Sequence, residues 1–169
     1  MSVQKNTGQK PAKWQAKPAM ESKPPKALMK VMNPIMTLMV RRGGGRMGDQ
    51  IMLLTFRGRK SGRQFTTPIG YTREGNVVTC FTDSQWGKNL VGGAPVKVTI
   101  KGKEKEGYAE TTSDKGQVLE YVKHNLSKGG PQAARQMGLS LPKGYLPSDD
   151  ELRTMLRDRI LISIKLQGK

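Results

Sequence analysis

The apolar residues near the start of the chain recur with the spacing of a helix. Between residues 27 and 42 they fall three or four positions apart, at Leu28, Met32, Ile35, Met36 and Met39. This spacing predicts an amphipathic helix, in which Pro34 favours a bend. Three consecutive glycines follow at residues 43–45 and predict the end of the helix.

The rest of the chain is dominated by short apolar or alternating runs, which are bounded by glycine, proline, asparagine and aspartate. Runs of this length predict β-strands, at residues 50–57, 65–72, 76–83, 96–101, 104–112 and 159–166. Pro68 lies inside the second run, which indicates an edge strand or a bulge. The segment 73–76, Arg-Glu-Gly-Asn, predicts a hairpin turn before the third run.

Short helical segments are predicted between these strands and after them. Residues 113–125 and 131–137 have helical character, and residues 86–90 predict a helical turn directly after a strand. Ser148 and Glu151 form a capping-box pair, so we expect a further helix to begin there. Strands with local antiparallel connections and peripheral helices predict a mainly β, α+β domain, built as a small barrel or a strongly bent sheet. The lack of strand–helix–strand alternation and of a GxGxxG motif argues against a Rossmann fold.

The charge of the chain is large and unevenly distributed. The 169 residues include 30 lysines and arginines and 13 acids, which gives a net charge of +17. Residues 1–26 are rich in lysine and proline and poor in branched apolar residues, which predicts a basic disordered arm ahead of a single domain at 27–169. About half of the excess charge lies in residues 1–42. Such a charge favours an anionic partner, which can be nucleic acid, a membrane surface or a small molecule.

The cysteine content and the length of the apolar runs indicate the cellular compartment in which the protein is expected. Cys80 is the only cysteine, so no intrachain disulfide can form and a reducing environment is expected. No apolar run approaches the roughly 20 residues of a spanning helix. No segment ahead of residue 27 resembles a signal peptide. We therefore expect a cytoplasmic protein, with membrane association through the basic N-terminal region as the alternative.

Few residues of this chain have the chemistry of a catalytic group. His124 is the only histidine, so no serine–histidine–acid set can be assembled without it, and its position is more typical of a surface residue. The spacing of histidine, cysteine and acidic residues does not fit a metal site, so we expect none. Catalytic residues are therefore not assigned, and an enzymatic activity would require a cofactor.

The turn Gly58–Arg63 has the composition of an anion-binding site. Its sequence, Gly-Arg-Lys-Ser-Gly-Arg, places three cations and two glycines between two predicted strands. The glycines allow the backbone to present its N–H groups, while Arg59 and Lys60 add positive charge. A solvated basic hairpin turn explains the same residues without any ligand, and the composition alone leaves both interpretations open.

A second cluster of candidate binding residues follows a predicted strand. Trp86, Lys88 and Asn89 combine an aromatic ring, a cation and an amide within four residues. Trp86 by itself is equally typical of a core anchor. The neighbouring cation and amide make this segment a candidate for contact with a ligand.

The ordered series of these motifs resembles the deazaflavin-dependent nitroreductase and quinone reductase family. The run Met52–Arg63 is similar to the family signature LLLTTxGRKSG, and Thr67-Pro68 follows it as it does in the family. Trp86-Gly87-Lys88-Asn89-Leu90 matches the W-x-x-N-L element, and a proline–valine element follows at residues 95–98. The resemblance covers about residues 28–166.

This resemblance implies a split β-barrel that binds coenzyme F420, a deazaflavin with a phosphate and an oligoglutamate tail; FMN is the less favoured alternative. The reduced coenzyme would give a hydride to a small-molecule acceptor such as a quinone, a nitro compound, an enone or an unsaturated lipid-like molecule. Small split barrels often dimerise, so a homodimer is also expected. The cofactor-binding residues implied by the resemblance are Arg59, Lys60, Ser61, Gly62, Arg63, Thr67, Pro68, Trp86, Lys88 and Asn89.

Two features depart from the family pattern. Phe65 stands where the family usually has an arginine, and the loop 82–85 is short and carries the acidic Asp83. Tyr121 and Tyr145 are candidates for the tyrosines of the acceptor pocket. The departures keep open a degenerate, non-catalytic split barrel that binds a lipid-like ligand. A basic nucleic-acid-binding barrel is another alternative, but an aromatic content of 5% argues against it.

The methionine-rich segment 28–40 allows three interpretations. It can be an N-terminal helix packed on the barrel, or a lid over the acceptor site. It can also form an amphipathic contact with an anionic membrane surface, together with the other basic residues of 1–42. The packed helix is the favoured interpretation.

Overall fold

The computed structural model describes residues 26–142 and 144–168, with only the backbone of residues 26–32. The predicted arm, except for Lys26, lies outside these residues. The α-helices are α1 (Lys26–Arg41), α2 (Lys115–Gln136) and α3 (Asp149–Met155), with 3₁₀ helices at Gly45–Asp49 and Gln85–Leu90. The strands are β1 (Ile51–Arg57), β2 (Gln64–Gly70), β3 (Thr72–Glu74), β4 (Val77–Thr82), β5 (Ala94–Ile100), β6 (Lys103–Thr112) and β7 (Ile160–Leu166).

The strands form one antiparallel sheet in the order β2-β1-β5-β6-β7-β4-β3. Its two edge strands, β2 and β3, follow each other in the chain with only Tyr71 between them. Because one residue spans only about 3.3–3.6 Å, the sheet must curl until its edges meet at Tyr71. The result is a barrel that is held together at that point without a ladder between β2 and β3. The predicted α+β split β-barrel is confirmed.

Tyr71 is anchored to the segment ahead of β1 by two hydrogen bonds. Its backbone N–H donates to Gln50 O at 3.1 Å, and its hydroxyl donates to Gly48 O at 3.1 Å. Burial raises the pKa of Tyr71, and the negative charge of Asp49 adds to the increase. The hydroxyl therefore remains a neutral donor at physiological pH.

The structure corrects the predicted number and limits of the strands. The second predicted strand, 65–72, is divided between β2, which ends at Gly70, and the short β3, which begins at Thr72. The division follows from the closure, because residues on either side of Tyr71 pair with strands at opposite edges of the sheet. Pro68 lies in edge strand β2 in a continuous register with β1, which confirms the edge position and shows no bulge there.

The buried residues form two clusters. The first fills the barrel and is contributed by β1, β4, β5, β6 and β7, with Met52, Leu54, Val98, Ile162 and Ile164 at its centre. The second lies between the other face of the sheet and helices α2 and α3. Cys80 belongs to the first cluster, where burial raises the pKa of its thiol to about 12 and keeps it protonated.

The two helices predicted at 113–125 and 131–137 correspond to α2, which is interrupted at Gly130. Asp114 caps the start of α2 by accepting the Gln117 N–H at 2.8 Å. Gly130 departs from helical geometry, with φ 51° and ψ −134°, directly before Pro131. The predicted capping box of α3 is confirmed, because Ser148 and Glu151 bond to each other's backbone N–H groups.

Helix α1 packs against β1, β2 and β5, which agrees with the favoured interpretation of the methionine-rich segment. Within α1, Val40 is fully buried, whereas Ile35, Leu38 and Met39 are exposed. The glycines at 43–45 end the helix as predicted, and all three have positive φ. Within the described residues, no helix has the length and apolarity to cross a membrane.

Gly70 is predicted to be intolerant of a side chain, because it lies where β2 approaches the end of α2. A Cβ at this position would lie 2.6 Å from the backbone oxygen of Gln136. We expect Gly70→Ala to lower the free energy of unfolding by about 1–3 kcal/mol, since backbone must move to relieve the contact. Gly168→Ala is the control, because its Cβ would enter open space. Equal denaturation midpoints for the two variants would contradict the prediction.

Candidate functional site

The turn Gly58–Arg63 connects β1 to β2 and is closed by its own backbone. The Gly58 N–H donates to Arg63 O at 2.8 Å, and the Gly62 N–H donates to Gly58 O at 2.8 Å. Gly62 has a φ of 64°, a conformation that favours glycine. Within the part of the chain that the structure describes, the N–H groups of Lys60 and Ser61 have no protein acceptor. These amides and the cationic side chains beside them are available to an anion.

Asn89 joins this turn to the 3₁₀ helix Gln85–Leu90. Its Oδ1 accepts the backbone N–H of Arg59 at 3.0 Å, while its Nδ2 donates to Trp86 O at 2.8 Å. The Arg59 guanidinium lies beside Gly92, where a Cβ would be 3.5 Å from its Nη2. No carboxylate of the described residues forms an ion pair with Arg59. Arg59 is thus positioned through its backbone, and its charge is not compensated by an acid there.

A stack of three aromatic rings packs against the turn. Trp86 and Phe56 stack with centroids 5.2 Å apart, and Phe56 and Phe65 stack at 5.9 Å. Phe56 is buried, whereas Phe65 is 45% exposed. A Cβ on Gly58 would lie 2.8 Å from both the Phe65 ring and Ser61 Oγ, so the ring packs directly on the turn. Phe65, the departure from the family pattern, therefore has a packing role.

A groove of about 560 Å³ begins at the turn and continues over β1, β5 and β6. The strand register explains its walls, because directly paired residues share a face of the sheet. Thr55 is paired with Lys97, and Lys97 with Glu106. The lining residues are Thr55, Phe56, Arg57, Gly58, Arg59, Gly62, Gln64, Asn89, Gly93, Ala94, Pro95, Val96, Lys97, Glu106, Gly107 and Gln167.

The lining cations of the groove are Arg57, Arg59 and Lys97, and Glu106 is its one lining acid among the described residues. Lys97 donates to Glu104 at 3.0 Å, and this hydrogen bond, together with the charge of Glu104, raises the pKa of Lys97. Both side chains are about half exposed, so water screens the pair and its energy is small. The positive charge that remains available is concentrated at Arg59, within the turn, and at Arg57, directly before it.

The predicted site residues fall into three groups in the structure. Arg59, Gly62 and Asn89 line the groove. The exposed turn residues Lys60, Ser61 and Arg63 lie next to it in the chain, as does the exposed Lys88 on the 3₁₀ helix. Trp86 supports the site through the ring stack. Thr67 and Pro68 lie further along β2, opposite Leu54 and Leu53, and are not among the lining residues.

Several residues that line the groove were not predicted from the sequence. Arg57 could have been found, because strand alternation places it on the same face as Thr55, whereas Lys97 needs the register of β1 with β5. Glu106 needs the register of the next hairpin, and Gln167 reaches the groove only because β7 ends there. Tyr108 does not line the groove, but its ring packs on the lining residue Gly93, which has a φ of 93° and no room for a Cβ.

The acidic loop residue and the two tyrosines interact away from the groove. Asp83 stabilises the charged form of Arg159, a guanidinium whose pKa is lowered by burial and which donates to Met137 O at 3.0 Å. Tyr121 is hydrogen-bonded to Thr72 at 2.6 Å, and Tyr145 donates to Glu151 at 2.7 Å. Residues 26–142 and 144–168 contain no group of three histidine, cysteine or acidic side chains that could hold a metal ion.

Comparisons with known proteins give one strong match. Residues 31–142 match the family model described as F420H(2)-dependent quinone reductase. A comparison with curated protein sequences gives no significant match.

Several solved structures are similar to this chain, with low sequence identities and low TM-scores. An F420 reductase is 13% identical, with 71% of this chain and 88% of that chain covered and a TM-score of 0.41. An FAD and heme binding protein from Mycobacterium smegmatis is 16% identical, with 76% and 73% covered and a TM-score of 0.40. The heme storage protein from Vibrio cholerae is 10% identical, with 80% and 90% covered and a TM-score of 0.43. The sequence identities and TM-scores of these structures are low, so the match to the family model is the more informative result.

The bond between Asn89 and the Arg59 N–H should control the order of the turn. Asn89→Ala removes the acceptor, and we expect the Arg59 amide to exchange with solvent roughly fivefold faster, as the loss of a bond worth about 1 kcal/mol implies. Asn89→Asp keeps an acceptor oxygen at the same place and should preserve most of the protection. Amide hydrogen exchange measured by NMR distinguishes the two variants. Equal exchange rates in both would show that the bond does not order the turn.

Proposed function

Because the chain belongs to the F420H(2)-dependent quinone reductase family, we propose that it transfers a hydride from reduced coenzyme F420 to a quinone-type acceptor at the Gly58–Arg63 turn and the adjoining groove. The F420-dependent oxidoreductase activity follows from the family. The acceptor and the residues that bind the two molecules are our proposal. The observation that supports the site best is the position of Arg59, an uncompensated guanidinium held at the mouth of a groove by the Asn89 bond.

The residues present fit a cofactor with a phosphate and an acidic tail. Arg59, Lys60 and Arg63 supply three positive charges within five residues, and the Lys60 and Ser61 amides supply neutral donors. Hydrogen bonds between ionised partners are the stronger class, and an arginine can bind a phosphate or a carboxylate through two parallel bonds. We therefore assign the anionic part of the cofactor to this turn, with Lys88 as an additional cation on the neighbouring 3₁₀ helix.

The groove fits the planar, less charged part of the reactants. One stretch of its lining is apolar, formed by Phe56, Ala94, Pro95 and Val96. Gly93 and Gly107 bring bare backbone to the lining, and neither has room for a Cβ, which would collide with Tyr108 at Gly93 and with Ile164 at Gly107. A groove of about 560 Å³ lies within the range of small-molecule sites, about 300–1,000 Å³. This apolar stretch of the lining suits a quinone ring better than a strongly charged acceptor.

The protein contributes orientation in this mechanism. When bound, the reduced deazaflavin supplies the hydride. Arg59 and the turn amides would hold the anionic tail, while the Trp86–Phe56–Phe65 stack supports the turn. His124 lies exposed on α2 and does not line the groove. Positioning two reactants in a fixed geometry is by itself a large source of rate acceleration.

Removing the two leading cations tests the proposed cofactor site. We expect Arg59→Ala/Lys60→Ala to weaken the binding of coenzyme F420 at least roughly tenfold, because charge-assisted bonds are lost on an exposed loop whose backbone is unchanged. A fluorescence titration with the coenzyme measures the affinity. Arg135→Ala/Lys165→Ala removes the same charge from exposed positions outside the groove and should change the affinity by less than about twofold.

The same titration separates the oxidoreductase from the alternative of a degenerate, lipid-binding barrel. That alternative expects no measurable binding of the coenzyme by the wild-type protein and no effect of the double substitution. Turnover of reduced F420 with a soluble quinone then tests the acceptor, with a nitroaromatic compound as the comparison. A preference for the nitroaromatic compound would contradict the quinone assignment while leaving the cofactor site intact.

We also propose that α1 lies on an anionic membrane surface, where quinones with long apolar chains are found. Ile35, Leu38 and Met39 are three and four positions apart, so they share one face of the helix, and all are exposed. Arg41, Arg42 and Arg46 follow that face directly and are exposed. An apolar face next to a row of cations is typical of helices that bind in the plane of anionic membranes.

The membrane proposal predicts a loss of vesicle binding when the apolar face is made polar. Ile35→Ser/Leu38→Ser should weaken binding to vesicles with anionic lipids at least about tenfold, since burying each side chain is worth about 1.5–3 kcal/mol. Leu146→Ser is the control, because Leu146 is equally apolar and 75% exposed but lies outside α1. Vesicle co-sedimentation measures the binding, and raised salt should weaken it further. Equal sedimentation of the double variant and the wild type would contradict the proposal.

A further inference from the structure

The end of the barrel opposite the Gly58–Arg63 turn contains a second pocket. The turn follows the end of β1, whereas the start of β1 pairs with the end of β5, where the β5–β6 hairpin turns. The pocket at this end, the barrel-mouth pocket, has a volume of about 270 Å³. It is lined by Arg73, Val98, Ile100, Lys101, Lys103, Lys105 and Leu166.

The register of the β5–β6 hairpin turns two lysines toward the inside of the barrel. Lys105 is paired with Val98, and Lys103 with Ile100. Val98 is 1% exposed and belongs to the barrel core, so its partner in the pair lies on the same face of the sheet. Glu104 and Glu106 alternate with these lysines and lie on the outer face. The sequence Lys-Glu-Lys-Glu thus places only cations at this mouth of the barrel.

The pocket exists because β6 is longer than its neighbour. Strand β7 ends at Leu166, which is paired with Gly107, so residues 103–106 extend beyond it. Arg73 approaches from β3, the edge strand beyond β4. The space between this extension and β3 has Val98, Ile100 and Leu166 as an apolar floor.

The positive charge around the pocket is largely uncompensated. Lys101 is ion-paired with Asp49, and the Nε of Arg73 donates to Gly75 O at 2.9 Å. No carboxylate of the described residues pairs with Lys103 or Lys105, and no acid lines the pocket. Lys103 and Lys105 are exposed, so water screens their mutual repulsion, while their charges remain available to an anion.

The backbone of the hairpin adds an independent observation. Lys101 has a φ of 49° and Gly102 a φ of 77°, the combination that a tight two-residue hairpin requires. Lys101 is the only non-glycine residue with a positive φ in the described chain. Asparagine, aspartate or glycine is the usual choice at such a position. A lysine is held there, with its side chain against Gly48 and beside the pocket.

We propose that the barrel-mouth pocket is a binding site for an anion with a short apolar tail, of the class of a medium-chain carboxylate. Lys103 and Lys105 bind the charged head, with Arg73 as a further donor. The apolar tail lies on Ile100, the partly exposed residue of the floor, above the buried Val98 and Leu166. Inorganic phosphate would leave Ile100 in contact with water, so the apolar floor distinguishes this site from a simple phosphate site.

Calorimetric titration of the full chain with octanoate, acetate and inorganic phosphate tests the site. We expect octanoate to bind at least tenfold more tightly than either acetate or phosphate. Lys103→Gln/Lys105→Gln should weaken octanoate binding at least tenfold, whereas Arg135→Gln/Lys165→Gln, which removes the same charge elsewhere, should change it by less than twofold. Thermal denaturation of each variant without ligand shows that it remains folded.

Each contrary result overturns a defined part of the proposal. Equal affinities for octanoate and acetate would exclude the apolar floor as part of the site, and tighter binding of phosphate would assign the pocket to phosphate. An unchanged octanoate affinity in the Lys103→Gln/Lys105→Gln protein would exclude the pocket itself. Arg59→Ala serves as the last comparison, because loss of octanoate binding in that variant would place the ligand in the groove at the other end of the barrel.

Discussion

The connection between the two edge strands through Tyr71 constrains the whole fold. Two strands at opposite edges of a seven-stranded sheet cannot be consecutive in the chain unless the sheet is curled. This curl encloses the barrel core and gives the molecule two distinct ends. Tyr71 is buried and hydrogen-bonded to the segment ahead of β1, so the closure is supported from within. The neighbouring bond between Thr72 and Tyr121 ties the same point to α2.

The candidate cofactor site depends on contacts between segments that are distant in the chain. Asn89 accepts a bond from a residue 30 positions earlier, and the Trp86–Phe56–Phe65 stack brings together three separate elements. The site therefore combines an exposed, charged turn with a rigid aromatic base. Phe65 illustrates the trade-off, because it provides packing for the turn at a position where a cation would have added to the charge.

The sequence allowed much of the fold to be predicted, but not the details that depend on strand pairing. Helix α1, the capping box of α3 and most strand positions followed from local periodicity and turn residues, because those signals are carried by neighbouring residues. The short β3 was missed, since its separation from β2 is a consequence of the closure rather than of any local signal. Lys97 and Glu106 were missed at the groove for a related reason, because only the register shows that they share a face with Thr55.

The alternation of lysine and glutamate along β6 also has a consequence for folding. A shift of one residue in the pairing of β5 with β6 would move every side chain of the strand to the other face. Glu110 would then point into the barrel core, on the face where Ala109 is fully buried now. A buried, unpaired carboxylate is strongly unfavourable. The charge pattern therefore penalises the misaligned hairpin and helps the chain to choose a single register before the barrel closes.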